Sequence, residues 1–143
     1  MAITHLNPYL HFPGNAREAI QLYERVLGAK VSEIIRFKDV PGMSAEGADA
    51  EDVLHSVLHI GPATVMVSDV PPRMRQASSG HAANMEVTIG VDDPADVSRI
   101  FDGLSAGGTA LMPPHDTFYG GKLGVLVDRY GVRWMINCSP AAK

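Results

Sequence analysis

Three histidines and one glutamate are the side chains in this sequence best suited to chemistry. His55 and His59 stand four residues apart and alternate onto the same face of a strand. His11 sits opposite Leu10 and Phe12 in an earlier strand, and Glu86 lies between Met85 and Val87 in a later one. A set of His11, His55, His59 and Glu86 suits either of two roles. Imidazole nitrogens and a carboxylate can hold a metal ion, or the same groups can hydrogen-bond within a polar cleft and bind a ligand there. Glu86 is costly in mid-strand unless it faces a polar cavity or has a partner. It is therefore an edge residue in solvent, a cleft residue acting as a general base with a raised pKa, or one half of a structural pair, with Arg133 as the candidate partner. Tyr9, Phe118, Tyr119 and Met135 would supply a flat, partly apolar lining for a planar or hydrophobic small molecule. For Phe118 the competing reading is ordinary core. His115 and Asp116, on a Pro-Pro loop, are suited to orienting that loop through hydrogen bonds to backbone.

These residues need elements to position them. Residues 6–12 alternate as a strand, with Leu10 and Phe12 on one face and Tyr9 and His11 on the other. Pro13-Gly14-Asn15 breaks it. Asn15 is placed to cap the next helix, with Glu18 completing a capping box. That helix spans Ala16 to Leu27, with an apolar stripe of Ala19, Ile20, Tyr23, Val26 and Leu27, and Gly28 stops it. A strand follows over 30–37. Residues 38–53 have no clear period, and a loop that long is a lid candidate or a simple excursion. Then come a strand at 55–60, a Gly-Pro-Ala turn, and a strand at 64–68. Residues 70–82 read as a linker rich in Pro, Ser and Gly.

The second half repeats the first at an offset of 78 residues. Tyr23 maps onto Phe101, Asn15 onto Asp93, Ala19 onto Val97, Leu22 onto Ile100 and Val26 onto Leu104. The order is a strand at 84–91, a helix from Pro94 to about Ala106 capped by Asp93, and a strand at 109–112. A loop at 113–122 and strands at 123–128 and 132–137 complete it. Trp134 shares its parity with Val132 and Ile136 and should pack beneath the helix. One such unit is too small to close a core, so two must pack together.

Composition narrows the function. With 143 residues, 45% hydrophobic and 20% charged, the chain is a globular protein of one-domain length. A net charge of −4 argues against a groove that tracks phosphates, so nucleic acid is not an expected partner. Cys138 is the single cysteine, which rules out an internal disulfide and suits a reducing compartment. No signal-like start and no apolar run of membrane length is present, so the cytoplasm is expected and a membrane is not. The Gly-Gly pairs do not sit at strand-to-helix junctions, and there is no Gly-x-Ser-x-Gly or Cys-x-x-Cys.

The run YLHFPGNAREAIQLYERVLGA (9–29) resembles the opening module of the glyoxalase/bleomycin-resistance/dioxygenase superfamily. The run DTFYGGKLGVLVDRYGVRWMIN (116–137) resembles its PhnB-like branch. Members of that branch often carry a name linked to ubiquinone methyltransferases, but no methyl-donor site is found here. The resemblance implies an α+β fold of two βαβββ modules, forming a curved, mixed eight-stranded sheet with helices outside and a cleft inside. It implies one domain over 1–143, with modules at about 4–69 and 83–138, and a homodimer. It also implies a divalent metal held by His, Glu or Gln at four strand positions. Those positions fall on Asn7, Met66, Glu86 and Met135, of which only Glu86 suits a hard cation. No cofactor is therefore expected, although a divalent metal held elsewhere stays open. The function expected is binding of a small molecule through Asn7, Tyr9, His11, His55, His59, Met66, Glu86, Phe118, Tyr119 and Met135. The alternatives are a metal- or Glu86-dependent lyase, isomerase or dioxygenase acting on a small carbonyl or aromatic substrate, and a structural or regulatory protein with a vestigial cleft.

Overall fold

The computed structural model describes residues 3–42, 50–70 and 85–140. The chain divides after Ala82 into two compact units, each a βαβββ module with its own four-stranded sheet. The eight expected strands thus fall as two mixed sheets of four. Most of the expected linker at 70–82, part of the expected loop at 38–53, and the start of the expected strand at 84 lie outside the described residues.

The first unit runs β1 (Tyr9–Phe12), α1 (Ala16–Leu27), β2 (Lys30–Arg36), a short 3-10 turn (Phe37–Asp39), β3 (Val53–Ile60) and β4 (Ala63–Asp69). The strand order is β1-β4-β3-β2, with β1 parallel to β4 and the other pairs antiparallel. Alternation divides the sheet. Phe12, Ser56, Leu58, Val65 and Val67 are buried on the face that α1 covers with Ala19, Ile20, Leu22 and Tyr23. Gly28 ends α1 in the left-handed region at φ 68°, as the sequence predicts.

The start of α1 is held differently from the expectation. The Asn15 side chain makes no capping hydrogen bond, and its Oδ1 is buried without a partner among the described residues. The cap comes from Asp69, 53 residues further on. Its Oδ1 accepts from Ala16 N (2.8 Å) and Gly14 N (3.0 Å), and its Oδ2 accepts from Val53 N (2.8 Å). One buried carboxylate therefore fastens the helix start and β3 to the end of β4.

The second unit runs β5 (Val87–Val91), α2 (Pro94–Ser105), β6 (Thr109–Asp116), β7 (Lys122–Val127) and β8 (Arg133–Cys138), in sheet order β5-β8-β7-β6. Asp93 caps α2 as expected, accepting from Ala95 N at 2.9 Å. Val97, Ile100, Phe101 and Leu104 pack that helix onto Leu126, Trp134 and Ile136. Trp134 is buried as predicted, and its Nε1 donates to the buried Asp128 at 2.9 Å. Asp128 also accepts from Tyr130 N and Val132 N, so it forms the turn into β8.

Two boundaries differ from the sequence reading. β6 continues through Pro113-Pro114 to Asp116, where a loop from 113 is expected. It lies at the sheet edge with two register shifts, and an edge strand tolerates prolines that lack an N–H. β5 begins at Val87, so Met85 and Glu86 precede the strand instead of lying within it.

Candidate functional site

The register of the first sheet fixes which side chains share the face away from α1. Tyr9 pairs with Met66 and His11 with Ser68 across β1 and β4. Val57 pairs with Met66 and with Glu33, His59 pairs with Thr64 and Lys30, and His55 pairs with Ile35. Cross-strand partners point to the same side. Tyr9, His11, His55, Val57, His59, Met66 and Ser68 therefore share this face, as the alternation in the sequence predicts for the three histidines.

Four of these groups form one connected cluster. The Tyr9 and His11 rings stack with centroids 4.4 Å apart and planes 12° apart. His55 tilts against Tyr9 at 5.6 Å, and its Nδ1 shares a 2.7 Å hydrogen bond with the Tyr9 hydroxyl. His11 Nδ1 shares a 2.8 Å hydrogen bond with Ser68 Oγ. Partial burial lowers the His11 pKa from its ordinary 6.5, which favours the neutral ring. Both imidazoles are thus anchored through Nδ1 to a hydroxyl, and neither Nε2 has a protein partner among the described residues.

Ser68 is the member that sequence reasoning missed. Its signal was available, because Ser68 alternates with Met66 and Thr64 and lies opposite His11 once β1 is paired in parallel with β4. His59 is on the same face, but among the described residues no hydrogen bond or ring contact joins it to the cluster. Asn7 precedes β1, half-buried, and is likewise not joined to it.

The remaining candidates are in the second unit. Glu86 Oε2 accepts from Arg133 Nε at 3.0 Å, so the pairing alternative considered for Glu86 is the one the structure makes. Met135 pairs with Thr88 and Val125 on the sheet face away from α2. The loop before β7 is locked by Thr117. Its N–H donates to Gly121 O (3.0 Å), its Oγ1 accepts from Gly121 N (2.9 Å), and its carbonyl accepts from Gly120 N (3.1 Å). Tyr119 then reaches Asn137 Oδ1 through its hydroxyl at 3.1 Å. Phe118 stands edge-on to Tyr119 and is fully exposed, so the core reading of Phe118 is wrong. Its place on a turn projects it away from the sheet. His115 Nδ1 bonds Pro113 O at 2.9 Å, the backbone-orienting role expected of it.

Two βαβββ modules with mixed sheets of this order define a known class. The sequence pattern of the Glyoxalase/Bleomycin resistance protein/Dioxygenase superfamily matches residues 4–136, and the chain belongs to that superfamily. It is 32% identical to Protein YjdN of Escherichia coli (strain K12) over 143 residues, covering 92% of this chain and 93% of YjdN. The crystal structure of protein PA1353 from Pseudomonas aeruginosa is 33% identical, with a TM-score of 0.82 over 96% of this chain and 98% of that one. A Bacillus cereus PhnB protein, described as a putative 3-demethylubiquinone-9 3-methyltransferase, superposes with a TM-score of 0.76. It is 21% identical over 95% of this chain and 100% of its own, and at that identity the likeness concerns the fold.

At the positions that the resemblance implies for a divalent metal, the residues present are poor donors for a hard ion. Asn7 offers a neutral amide, Met66 and Met135 offer thioethers, and the Glu86 carboxylate is engaged by Arg133. Thioethers suit soft ions and not hard divalent ones. Among the described residues, no group of three His, Cys, Asp or Glu side chains is placed to hold a metal ion.

Proposed function

We propose that this protein binds a small, planar, partly apolar molecule on the face of the first sheet away from α1, and that it does so without the superfamily's usual divalent metal. One observation carries the reading: the stacked Tyr9–His11 pair is joined by His55, and each imidazole is anchored by an Nδ1 hydrogen bond. A preorganised aromatic surface with unused polar nitrogens suits an aromatic or conjugated ligand, because little side-chain freedom is lost on binding. Met66, beside Tyr9 in the register, adds a soft apolar contact.

The first test is elemental analysis of the purified protein before and after incubation with Ni, Zn, Mn and Fe(II). A thermal-shift screen of planar aromatic acids, ketones and phenols follows. The expected result is less than one tightly held metal per chain, with at least one compound raising the melting temperature in a saturable way. That rise should shrink in Tyr9→Ala. A stoichiometric metal, or ligand stabilisation untouched by Tyr9→Ala, would refute the reading. The same reading includes a two-fold symmetric homodimer with equivalent sites. Mass measurement at micromolar protein should give twice the chain mass, and a monomer alone would sink that part.

A further inference from the structure

Resting on the same face of the first sheet, we propose a metal-free acid–base activity: His11 and His55 interconvert the keto and enol forms of a planar, conjugated carbonyl compound. The argument comes from how the two imidazoles are anchored. His55 Nδ1 meets a phenol and His11 Nδ1 meets an alcohol, and these partners are not equivalent. The phenol is the more acidic of the two groups, and in this proposal the Tyr9 hydroxyl is the donor to His55 Nδ1. In that arrangement His55 carries its proton on Nε2, which makes it a hydrogen-bond donor towards a ligand.

Ser68 imposes no such tautomer. Its hydroxyl is nearly fully buried, and His11 is its one side-chain partner among the described residues. A serine hydroxyl rotates and either donates or accepts. When it accepts from Nδ1–H, His11 presents a bare Nε2, and it can still accept once that nitrogen has gained a proton. The neutral state of His11 leaves it available as a base at neutral pH. One face therefore carries a donor and an available base, joined by the Tyr9 ring that touches both. A donor and a base packed against the same Tyr9 ring match a substrate with a carbonyl oxygen next to an acidic C–H. The stacked rings favour a conjugated, flat enol over a saturated one.

The step balances without an added reagent. His11 Nε2 takes the proton from the carbon beside the carbonyl. The C–H electron pair becomes the new C=C bond, and the C=O π pair moves to oxygen. That oxygen takes the Nε2 proton of His55 while the Tyr9 phenolic proton passes to His55 Nδ1. The enol leaves, Tyr9 takes its proton back from His55 Nδ1, and water carries the His11 proton to His55 Nε2, which restores all three groups. Nothing is oxidised or reduced. The other titratable groups on this face are Glu33 and Lys30 of β2 and His59 of β3, and β4 contributes none.

The test uses phenylpyruvate with the full-length protein in dilute buffer and EDTA, following the ultraviolet absorbance of the enol. The expected result is a catalysed rate that saturates with phenylpyruvate. It should fall about 10²-fold or more in His11→Gln, by the usual contribution of a general base, and about 10-fold or more in Tyr9→Phe. Ser68 is a positioning residue. Ser68→Ala should lower the rate and move the acidic limb of its pH profile, which a purely structural role would not do. His115→Gln, outside the cluster, should match the parent. Circular dichroism checks that each variant is folded. A rate no greater than buffer, a rate indifferent to His11→Gln, or a rate abolished by EDTA would each overturn the proposal. Fluorescence titration with phenylpyruvate separates the two readings: binding without turnover refutes the activity and leaves the ligand site standing, whereas absence of both removes both for this ligand class.

Discussion

Replacing Asp69 tests the central claim about how the first unit is fastened. Its carboxylate is 4% exposed and accepts three backbone N–H groups, from Gly14, Ala16 and Val53. Asp69→Ala leaves those three donors without their carboxylate acceptor. An unsatisfied buried donor costs about 1–3 kcal/mol, so the loss should be about 4 kcal/mol after partial relaxation. Asp69→Asn keeps one oxygen for Gly14 and Ala16 but turns an amide N–H₂ towards Val53 N, and should cost about 2 kcal/mol. Urea unfolding followed by circular dichroism gives the totals; at a slope of roughly 2 kcal/mol per molar, the alanine variant shifts the midpoint by about 2 M. Hydrogen exchange should accelerate most at the Ala16 and Val53 amides. An Asp69→Ala loss below about 1 kcal/mol, or exchange unchanged at those amides, would show that the carboxylate does not hold the helix start.

Three further outcomes are expected. The lowered His11 pKa means that the unfolded chain binds the proton more readily. Stability from this group is therefore full above about pH 6.5 and declines as pH falls through the lowered folded value. Comparing urea midpoints of the parent and His11→Gln between pH 7.5 and 5 should show the decline in the parent only. Trp134→Phe removes the indole N–H that meets Asp128 Oδ2, and should cost about 1–3 kcal/mol by thermal or urea unfolding. A Cβ on Gly121 would lie 2.3 Å from Cys138 O and 2.9 Å from the Tyr119 ring. Gly121→Ala should therefore displace the 117–121 turn and break the Tyr119–Asn137 hydrogen bond, visible as shifted NMR signals of the Asn137 side-chain amide.

The contrast between Asn15 and Asp93 shows where local sequence suffices. Both stand one residue before a helix at the same place in the repeat. Asp93 caps its own helix because a short acceptor just ahead of Pro94 reaches Ala95 N directly. Asn15 makes no such bond, and the start of its helix is held instead by Asp69 from the far end of the module, which accepts from Gly14 N and Ala16 N. The prolines of β6 are similar. Pro113-Pro114 reads as a loop locally, and only sheet order shows that an edge strand can absorb it.

By itself, the sequence determined the two-module repeat, the extents of both helices and the faces of β1, β3 and β4. These follow from periodicities of 3.6 and 2 and from local stop signals, and they hold wherever the element sits. It also identified Tyr9, His11 and His55 as candidates sharing one face. What only the tertiary structure decided is how those groups are connected. Strand register sets Ser68 beside His11, brings the Tyr9 hydroxyl to His55, and leaves His59 on the same face outside the cluster. It engaged Glu86 with Arg133 and turned Phe118 outward. A hydrogen bond depends on a few tenths of an ångström between atoms tens of residues apart, and that distance is set by packing of the whole sheet, not by the residues near either atom.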